Sequence, residues 1–171
     1  MITDKIKFKP GYAKEDSKTF ASAGVMEEGI TPERIWRNLD NISVWPRFCD
    51  SIVDIQYLDS SDTDPHLFDK AQFNYTMADG TRVDAQVICF THPKDDRVGR
   101  MAYQGTLSKD GKQINEMVAE FIVGVPDHRG KLDVEAALSF KEEQKNAAEV
   151  NYGDKLQEFL RNLVDWSKKH H

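Results

Sequence analysis

The stretch TPERIWRNLDNISVWPRF, residues 31–48, decides the fold, because it brings a helical rhythm into an otherwise strand-like sequence. Thr31 is a candidate N-cap, and Pro32 takes the first helical position, where its missing N–H leaves no hydrogen bond unmade. The apolar stripe of this first helix consists of Ile35, Trp36 and Leu39. The sequence DNIS, residues 40–43, ends this helix, and residues 44–48 are predicted to form a second, shorter helical piece. Two helices this short cannot bury a core alone, so they are expected to close one end of a sheet.

Beyond this stretch, the sequence is typical of a series of antiparallel hairpins. Turn sequences recur at regular intervals, and alternating apolar and polar residues flank each of them. The seven predicted strands are 19–29, 52–58, 67–77, 81–91, 97–107, 114–124 and 131–140. Strands of about ten residues extend about 34 Å, and a twisted sheet of that length must curl around another element.

The C-terminal sequence predicts the element inside that curl. From Asn146, which can form a capping pair with Glu149, the pattern becomes helical, and Asp154 is an alternative, later N-cap. One face of this helix carries Tyr152, Leu156, Phe159, Leu160, Leu163 and Trp166. A helix of about 23 residues is about 34 Å long, which matches the strands.

Composition and charge exclude several classes of protein. With 171 residues, 39% of them hydrophobic and 30% charged, the chain fits one domain, with 1–17 as an irregular N-terminal extension. No apolar run approaches the roughly 20 residues of a membrane span, and the N-terminus lacks an apolar signal region, so a cytoplasmic protein is expected. A net charge of −6 without a basic stripe argues against nucleic acid as a partner. Cys49 and Cys89 make no metal-spaced or redox-type pair. Neither a metal nor a cofactor is expected.

Strand parity predicts which side chains face the C-terminal helix. The inward set is Phe73, Tyr75, Met77, Val83, Ala85, Val87, Cys89, Met101, Tyr103, Gly105, Leu107, Met117, Ala119, Phe121, Val123, Leu132, Val134, Ala136 and Leu138. The opposite parity is rich in charged and amide side chains and is expected to be solvated. Ala85, Gly105, Ala119 and Ala136 in the inward set have two explanations. They either let the helix approach and the sheet bend, or they leave room for a cavity.

At this point the residues resemble a known family. A strand followed by Pro32, Ile35–Trp36, Leu39–Asp40, Trp45–Pro46 and Phe48 is similar to the N-terminal signature of the START-like (SRPBCC) superfamily, which includes polyketide cyclase/dehydrase, lipid-transport and birch-pollen-allergen-like proteins. The resemblance implies an α+β helix-grip fold. That fold has a seven-stranded curved antiparallel sheet around a long C-terminal helix, with two short helices between the first two strands. It also implies a ligand cavity between sheet and helix.

The side chains expected to line such a cavity are mostly large and apolar. They are Trp45, Tyr75, Cys89, Met101, Tyr103, Met117, Ala119, Phe121, Tyr152, Leu156 and Phe159. The two tyrosines suit a ligand with one or two polar groups, and the methionines suit an adaptable lining, although all of them are also ordinary core residues. Trp36 is expected in the core and Trp45 nearer the cavity entrance.

Catalytic motifs are missing from the sequence. It has no nucleophile elbow, phosphate-binding glycine loop or zinc signature. The inward set contains no Asp, Glu, His, Lys or Arg. A general acid or base would therefore come from a rim loop or from Glu27 or Glu28. The favoured function is binding of a small to medium hydrophobic molecule, carried or sequestered. The alternatives are a polyketide cyclase/dehydrase-like enzyme, which can act by folding its substrate, and a protein-interaction module of the chaperone-activator kind.

Overall fold

The fold is seen in a computed structural model that describes Tyr12 and residues 19–58, 65–142 and 151–170. The strands are β1 Thr19–Glu27, β2 Ile52–Tyr57, β3 Gln72–Met77, β4 Arg82–Thr91, β5 Gly99–Lys109, β6 Lys112–Val123 and β7 Leu132–Phe140. The α-helices are α1 Pro32–Leu39, α2 Trp45–Phe48 and α3 Tyr152–Lys169, with a 3-10 turn at Ile42–Val44 between the first two.

All seven strands form one antiparallel sheet in the order β1-β7-β6-β5-β4-β3-β2. Successive hairpins build the sheet from β3 to β7, whereas β1 and β2 lie at opposite edges and are joined by α1 and α2. This arrangement confirms the predicted helix-grip architecture. The predicted strand at 67–77 is shorter than expected, because Leu67 lies before β3 and donates its N–H to the Asp40 carbonyl at 2.8 Å.

The first short helix begins as the sequence predicts. The Thr31 side chain accepts a hydrogen bond from the Arg34 N–H at 3.3 Å, and Pro32 is the first helical residue. Trp36 then packs against the start of β5 so closely that a Cβ on Gly99 would lie 2.8 Å from the indole ring. Only glycine allows this approach, and it fixes α1 against the sheet.

The long helix begins later than predicted. Asn151 is its N-cap and accepts a hydrogen bond from the Asp154 N–H at 3.0 Å, so Asp154 belongs to the first turn. The predicted caps Asn146 and Glu149 lie outside the described residues. With 18 residues, α3 is about 27 Å long and so shorter than the longest strands.

The predicted strand parity holds except at one position. A bulge in β4 shifts the pairing, so that Val87 lies opposite Tyr103 but Cys89 lies opposite Ala102. A bulge adds one residue to one strand and reverses the facing of the residues after it. Cys89 therefore faces outward, and Phe90 takes the inward position opposite Met101.

The outer face of the sheet is not solvated at its centre, contrary to expectation. Val118, Ile122 and Ser139 have exposures of 0%, 1% and 0%. Tyr12, also buried, lies over this face, where its carbonyl accepts the Ser139 hydroxyl at 2.6 Å. Burial raises the pKa of Glu120 on the same face to about 7. Apart from Tyr12, the predicted extension at 1–17 lies outside the described residues.

The C-terminal half of α3 is held by both packing and polar contacts. Leu160, Leu163 and Val164 are fully buried. The Asn38 amide of α1 donates to the Ser167 hydroxyl at 3.2 Å and accepts from the Trp166 indole at 3.2 Å. Across the described residues, no helix combines the length and the apolar character that crossing a bilayer requires.

The N-terminal half of α3 contacts the edge strand β1. The Gln157 side chain donates to the Gly24 carbonyl at 2.9 Å and accepts from the Gly24 N–H at 3.3 Å. An amide side chain thus takes the place that a neighbouring strand would occupy beside β1. Tyr152 and Leu156, on the same part of α3, are only partly buried.

We expect Leu160→Ala to lower the free energy of unfolding by about 2 to 5 kcal/mol, because it opens a hole where α3 is most tightly packed. Glu158→Ala, on the exposed side of the same helix turn, is the control and should change stability by less than about 0.5 kcal/mol. Urea unfolding followed by circular dichroism measures both. Similar values for the two variants would contradict the central role of α3.

Candidate functional site: a cavity between the sheet and α3

A cavity of about 820 Å³ lies between the inner face of the sheet and the N-terminal half of α3. Its wall is formed mainly by aromatic and aliphatic side chains from six strands, β2 to β7, and from the helices α2 and α3. The apolar part of the lining comprises Trp45, Ile52, Tyr75, Met77, Ala78, Val83, Tyr103, Leu107, Ile114, Met117, Ala119, Phe121, Leu138, Phe140, Tyr152, Leu156 and Phe159. The volume falls within the range typical of small-molecule sites.

The mouth of the cavity is marked by its exposed lining residues. Asp79 lies in the β3–β4 turn, Lys109 and Gln113 flank the β5–β6 turn, and Lys155 lies in the first turns of α3. Asp79 is engaged locally, because its carboxylate accepts the Thr81 N–H at 2.9 Å, which lowers its pKa. The opening therefore lies where two hairpin turns meet the beginning of α3.

Trp45 forms the inner end of the cavity. Its indole lies 5.2 Å from the Phe159 ring and 6.2 Å from the Phe121 ring, measured between centroids, and its N–H donates to the Leu39 carbonyl at 3.1 Å. At 1% exposure it is as buried as Trp36 at 3%. The prediction that Trp45 lies near the entrance is therefore wrong, because α2 turns it inward beneath α3.

Two tyrosines supply the main polar group on the inner wall. The hydroxyls of Tyr75 and Tyr103 lie 2.9 Å apart and are hydrogen-bonded to each other. Burial raises the pKa of Tyr75 to about 12 and the pKa of Tyr103 well above its usual value. Both phenols are consequently neutral at physiological pH. Cys49 and Ser51 line the cavity near this pair, with their sulfur and oxygen atoms 3.6 Å apart.

The structure brings together all but two of the residues predicted to line a cavity. The exceptions are Cys89, which the β4 bulge turns to the outer face, and Met101, which faces inward but lies in packed core. Cys49 was missed, because it follows α2 in a segment without strand parity. Phe140 was missed because the predicted inward set stopped one alternation before the end of β7.

The small inward residues divide between the two explanations. Ala119 lines the cavity, whereas Ala85, Gly105 and Ala136 lie in close-packed parts of the sheet. A Cβ on Gly105 would come within 2.7 Å of a Val83 methyl group. Gly105 thus serves close packing across β4 and β5, and only Ala119 leaves room for a ligand.

The acidic residues suggested as catalytic groups are committed elsewhere. The Glu27 carboxylate forms ion pairs with Lys168, at 2.8 Å, and with Arg161. The hydrogen bond from Lys168, which has the larger effect, and the one from Arg161 lower the pKa of Glu27 to about 2. Glu28 is exposed to solvent. Neither lines the cavity. Glu27 therefore ties the end of β1 to α3, and it is a poor general base.

Comparison with known proteins supports the fold. No protein-family model matches the sequence, and no curated protein matches it significantly. A hypothetical protein of Helicobacter pylori has a similar structure, with a TM-score of 0.82 at 18% identity over 98% of both chains. A START-superfamily protein of Mycobacterium smegmatis has a TM-score of 0.61 at 11% identity, over 89% of this chain and 99% of its own. Ara h 8.0201 has a TM-score of 0.59 at 10% identity, over 89% of this chain and 100% of its own. The chain has the helix-grip fold of START-like proteins.

We expect Glu27→Gln to cost about 0.5 to 1 kcal/mol at pH 7, a value kept small because both cationic partners are partly exposed. The folded-state pKa lies below the unfolded value near 4.5, so this contribution is present above that value and is lost as the pH falls toward 2. Urea unfolding at pH 7 and pH 3 should show the gap between parent and variant shrinking. Asp165→Asn, which removes the exposed partner of Arg161, is the control and should have a smaller effect. A gap that stays constant with pH would contradict the ion-pair role.

Trp36→Ala and Trp45→Ala should each lower the free energy of unfolding by about 3 to 5 kcal/mol, because both indoles are buried. Trp45 differs in that its removal also enlarges the cavity. Chemical denaturation of both variants, compared with partly exposed Trp166→Ala, measures the costs. A loss below about 1 kcal/mol for Trp45 would contradict its place at the inner end of the cavity.

Proposed function

We propose that the protein binds a small to medium hydrophobic molecule in the cavity beneath α3, and that it carries or sequesters this molecule. The observation that supports the proposal is a cavity of about 820 Å³ with a largely apolar lining. Protein interiors are normally close-packed, and voids larger than a water molecule are few. Space on this scale in a small domain favours an occupant.

The distribution of packing within the core supports the same proposal. The core near the C-terminal half of α3 is dense, with Ile35, Leu39, Leu160 and Leu163 completely buried. The side chains around the cavity, such as Leu156 and Leu138, are only partly buried. Apolar surface left accessible in this way gains about 25 cal/mol for each Å² that a ligand covers.

A polyketide cyclase/dehydrase-like activity is the second candidate. The observation that favours it is the hydroxyl pair of Tyr75 and Tyr103, which lies beside Cys49 where a folded substrate would rest. A cyclase can work by holding its substrate in a reactive shape. Multiple turnovers of an aromatic or polyketide substrate would distinguish it from a carrier, which binds one equivalent and releases it unchanged.

The interaction-module alternative is less well supported. It requires a filled core and an exposed apolar patch on the sheet. The core instead contains the cavity. Among the described residues, the most exposed apolar side chains include Met26 on β1, Val53 on β2 and Leu58 directly after β2. Because β1 and β2 are the two edge strands, these side chains lie at opposite edges of the sheet. Native mass spectrometry of the purified protein, with release of a bound apolar compound under denaturing conditions, tests the carrier directly.

Filling the cavity should abolish binding without unfolding the protein. We expect Ala119→Leu to reduce affinity for phenylnaphthylamine, an uncharged fluorescent probe, by at least about tenfold while the melting temperature stays near that of the parent, because the added carbons enter open space. Ala136→Leu is the matched control on the adjacent strand. It adds the same atoms to packed core and should cost about 1 to 3 kcal/mol while preserving probe affinity.

Fluorescence titration and thermal melting of the three proteins decide the matter. Probe binding by the parent, lost only in Ala119→Leu, supports the proposal. A parent that binds no apolar probe, together with strong destabilisation by both substitutions, would contradict it.

A further inference from the structure

The tyrosine pair in the cavity has one more hydrogen-bond donor than it can use. Tyr75 and Tyr103 each carry a single O–H group, and their oxygens are 2.9 Å apart. In such a pair one hydroxyl donates to the other, so the hydrogen of the second has no use within the pair. Within the described part of the chain, neither hydroxyl has another hydrogen-bond partner.

Among the described residues, no other side chain or backbone group accepts this hydrogen, and the groups that contact the pair are mainly aromatic rings. The Phe73 ring lies 5.2 Å from the Tyr103 ring, the Phe121 ring lies 6.5 Å from it, and the Trp45 ring lies 6.4 Å from the Tyr75 ring. Both tyrosines are more than nine-tenths buried and both line the cavity. A buried donor without an acceptor is unfavourable, so the hydrogen is directed toward whatever occupies the cavity.

We propose that the Tyr75–Tyr103 pair forms a subsite whose unused hydroxyl group donates a hydrogen bond to a neutral oxygen acceptor. The ligand is then a mainly apolar molecule with a carbonyl or a similar group at the end that lies deepest in the cavity. This inference rests on the proposed function, since it concerns the same cavity. It separates the expected ligands from pure hydrocarbons, which would leave the donor unsatisfied.

A carboxylate is disfavoured at this inner position. The cationic lining residues Lys109 and Lys155 lie at the exposed mouth, and the wall around the pair is aromatic. An ionised group buried away from any cation carries a large desolvation cost. A carbonyl loses far less on leaving water and still receives the hydrogen bond.

The donor keeps its hydrogen over the physiological range. Burial raises the pKa of Tyr75 to about 12 and raises the pKa of Tyr103 well above its usual value. A preference for oxygen acceptors should therefore be the same at pH 6 and pH 9. This separates the subsite from recognition by a group that titrates near neutrality.

The test uses two fluorescent probes of the same shape. Prodan is an acyl-aminonaphthalene whose carbonyl accepts hydrogen bonds, and its analogue has a methylene in place of that carbonyl. The parent protein should bind prodan more tightly, relative to the partition of each probe between water and hexane, by roughly 2- to 12-fold. Bound prodan should also emit at longer wavelength than in hexane, because hydrogen bonding to its carbonyl shifts the emission to the red.

The double variant Tyr75→Phe/Tyr103→Phe removes both hydroxyls and should abolish the preference and shift bound prodan emission to the blue. Either single variant leaves one hydroxyl whose hydrogen is released from the pair, so at least one of them should keep the preference. Melting temperatures report folding, and the parent and single variants test the subsite even where the double variant is unstable.

The possible outcomes distinguish a failure of the subsite proposal from a failure of the cavity proposal. Equal corrected affinities of the two probes for the parent, or a preference that survives in a folded double variant, would overturn the subsite while leaving the cavity proposal in place. Failure of both probes to bind the parent would overturn the proposed function as well. A preference that changes strongly between pH 6 and pH 9 would assign the recognition to a different group.

Discussion

The structure depends on one constraint, which is that the sheet grips α3 firmly at only one half of the helix. The C-terminal half carries the fully buried Leu160 and Leu163, the polar contacts to Asn38 and the ion pairs of Glu27. The first turns of α3 are held by Gln157 at the sheet edge and by the partly buried Tyr152 and Leu156. A single helix of about 10 Å diameter cannot fill a curved seven-stranded sheet along its whole length. The unfilled half is the cavity.

The short helices divide the interior into a packed half and an open half. α1 brings Trp36 against Gly99, and α2 brings Trp45 under Phe159. The indole of Trp45 then forms the boundary, with the dense core on one side and the cavity on the other. The helical stretch that interrupts the strands thus closes one end of the sheet, as the sequence indicates, and it also supplies the inner wall of the site.

Much of this architecture can be predicted from the sequence, because burial on one face of a strand or helix leaves a regular pattern. Inward side chains such as Tyr75, Tyr103 and Met117 follow from that alternation. The pattern fails where geometry departs from regularity. The β4 bulge reverses Cys89, and a loop position brings Cys49 to the cavity. Nor does local alternation show that Tyr12 covers the outer face, since that contact joins residues far apart in the chain.

Affinity and selectivity in this cavity come from different interactions. Covering about 200 Å² of apolar lining would contribute about 5 kcal/mol before the costs of association, and any apolar molecule that fits gains it. A cavity of about 820 Å³ is roomy for a small ligand, so shape alone orients it weakly. One hydrogen bond adds only about 0.5 to 1.5 kcal/mol. Among ligands of equal apolar area, however, the hydroxyl pair of Tyr75 and Tyr103 discriminates, because it stabilises one end of the ligand in one place. The apolar wall therefore sets how tightly a class of molecules binds, and the tyrosines set which member and which orientation are preferred.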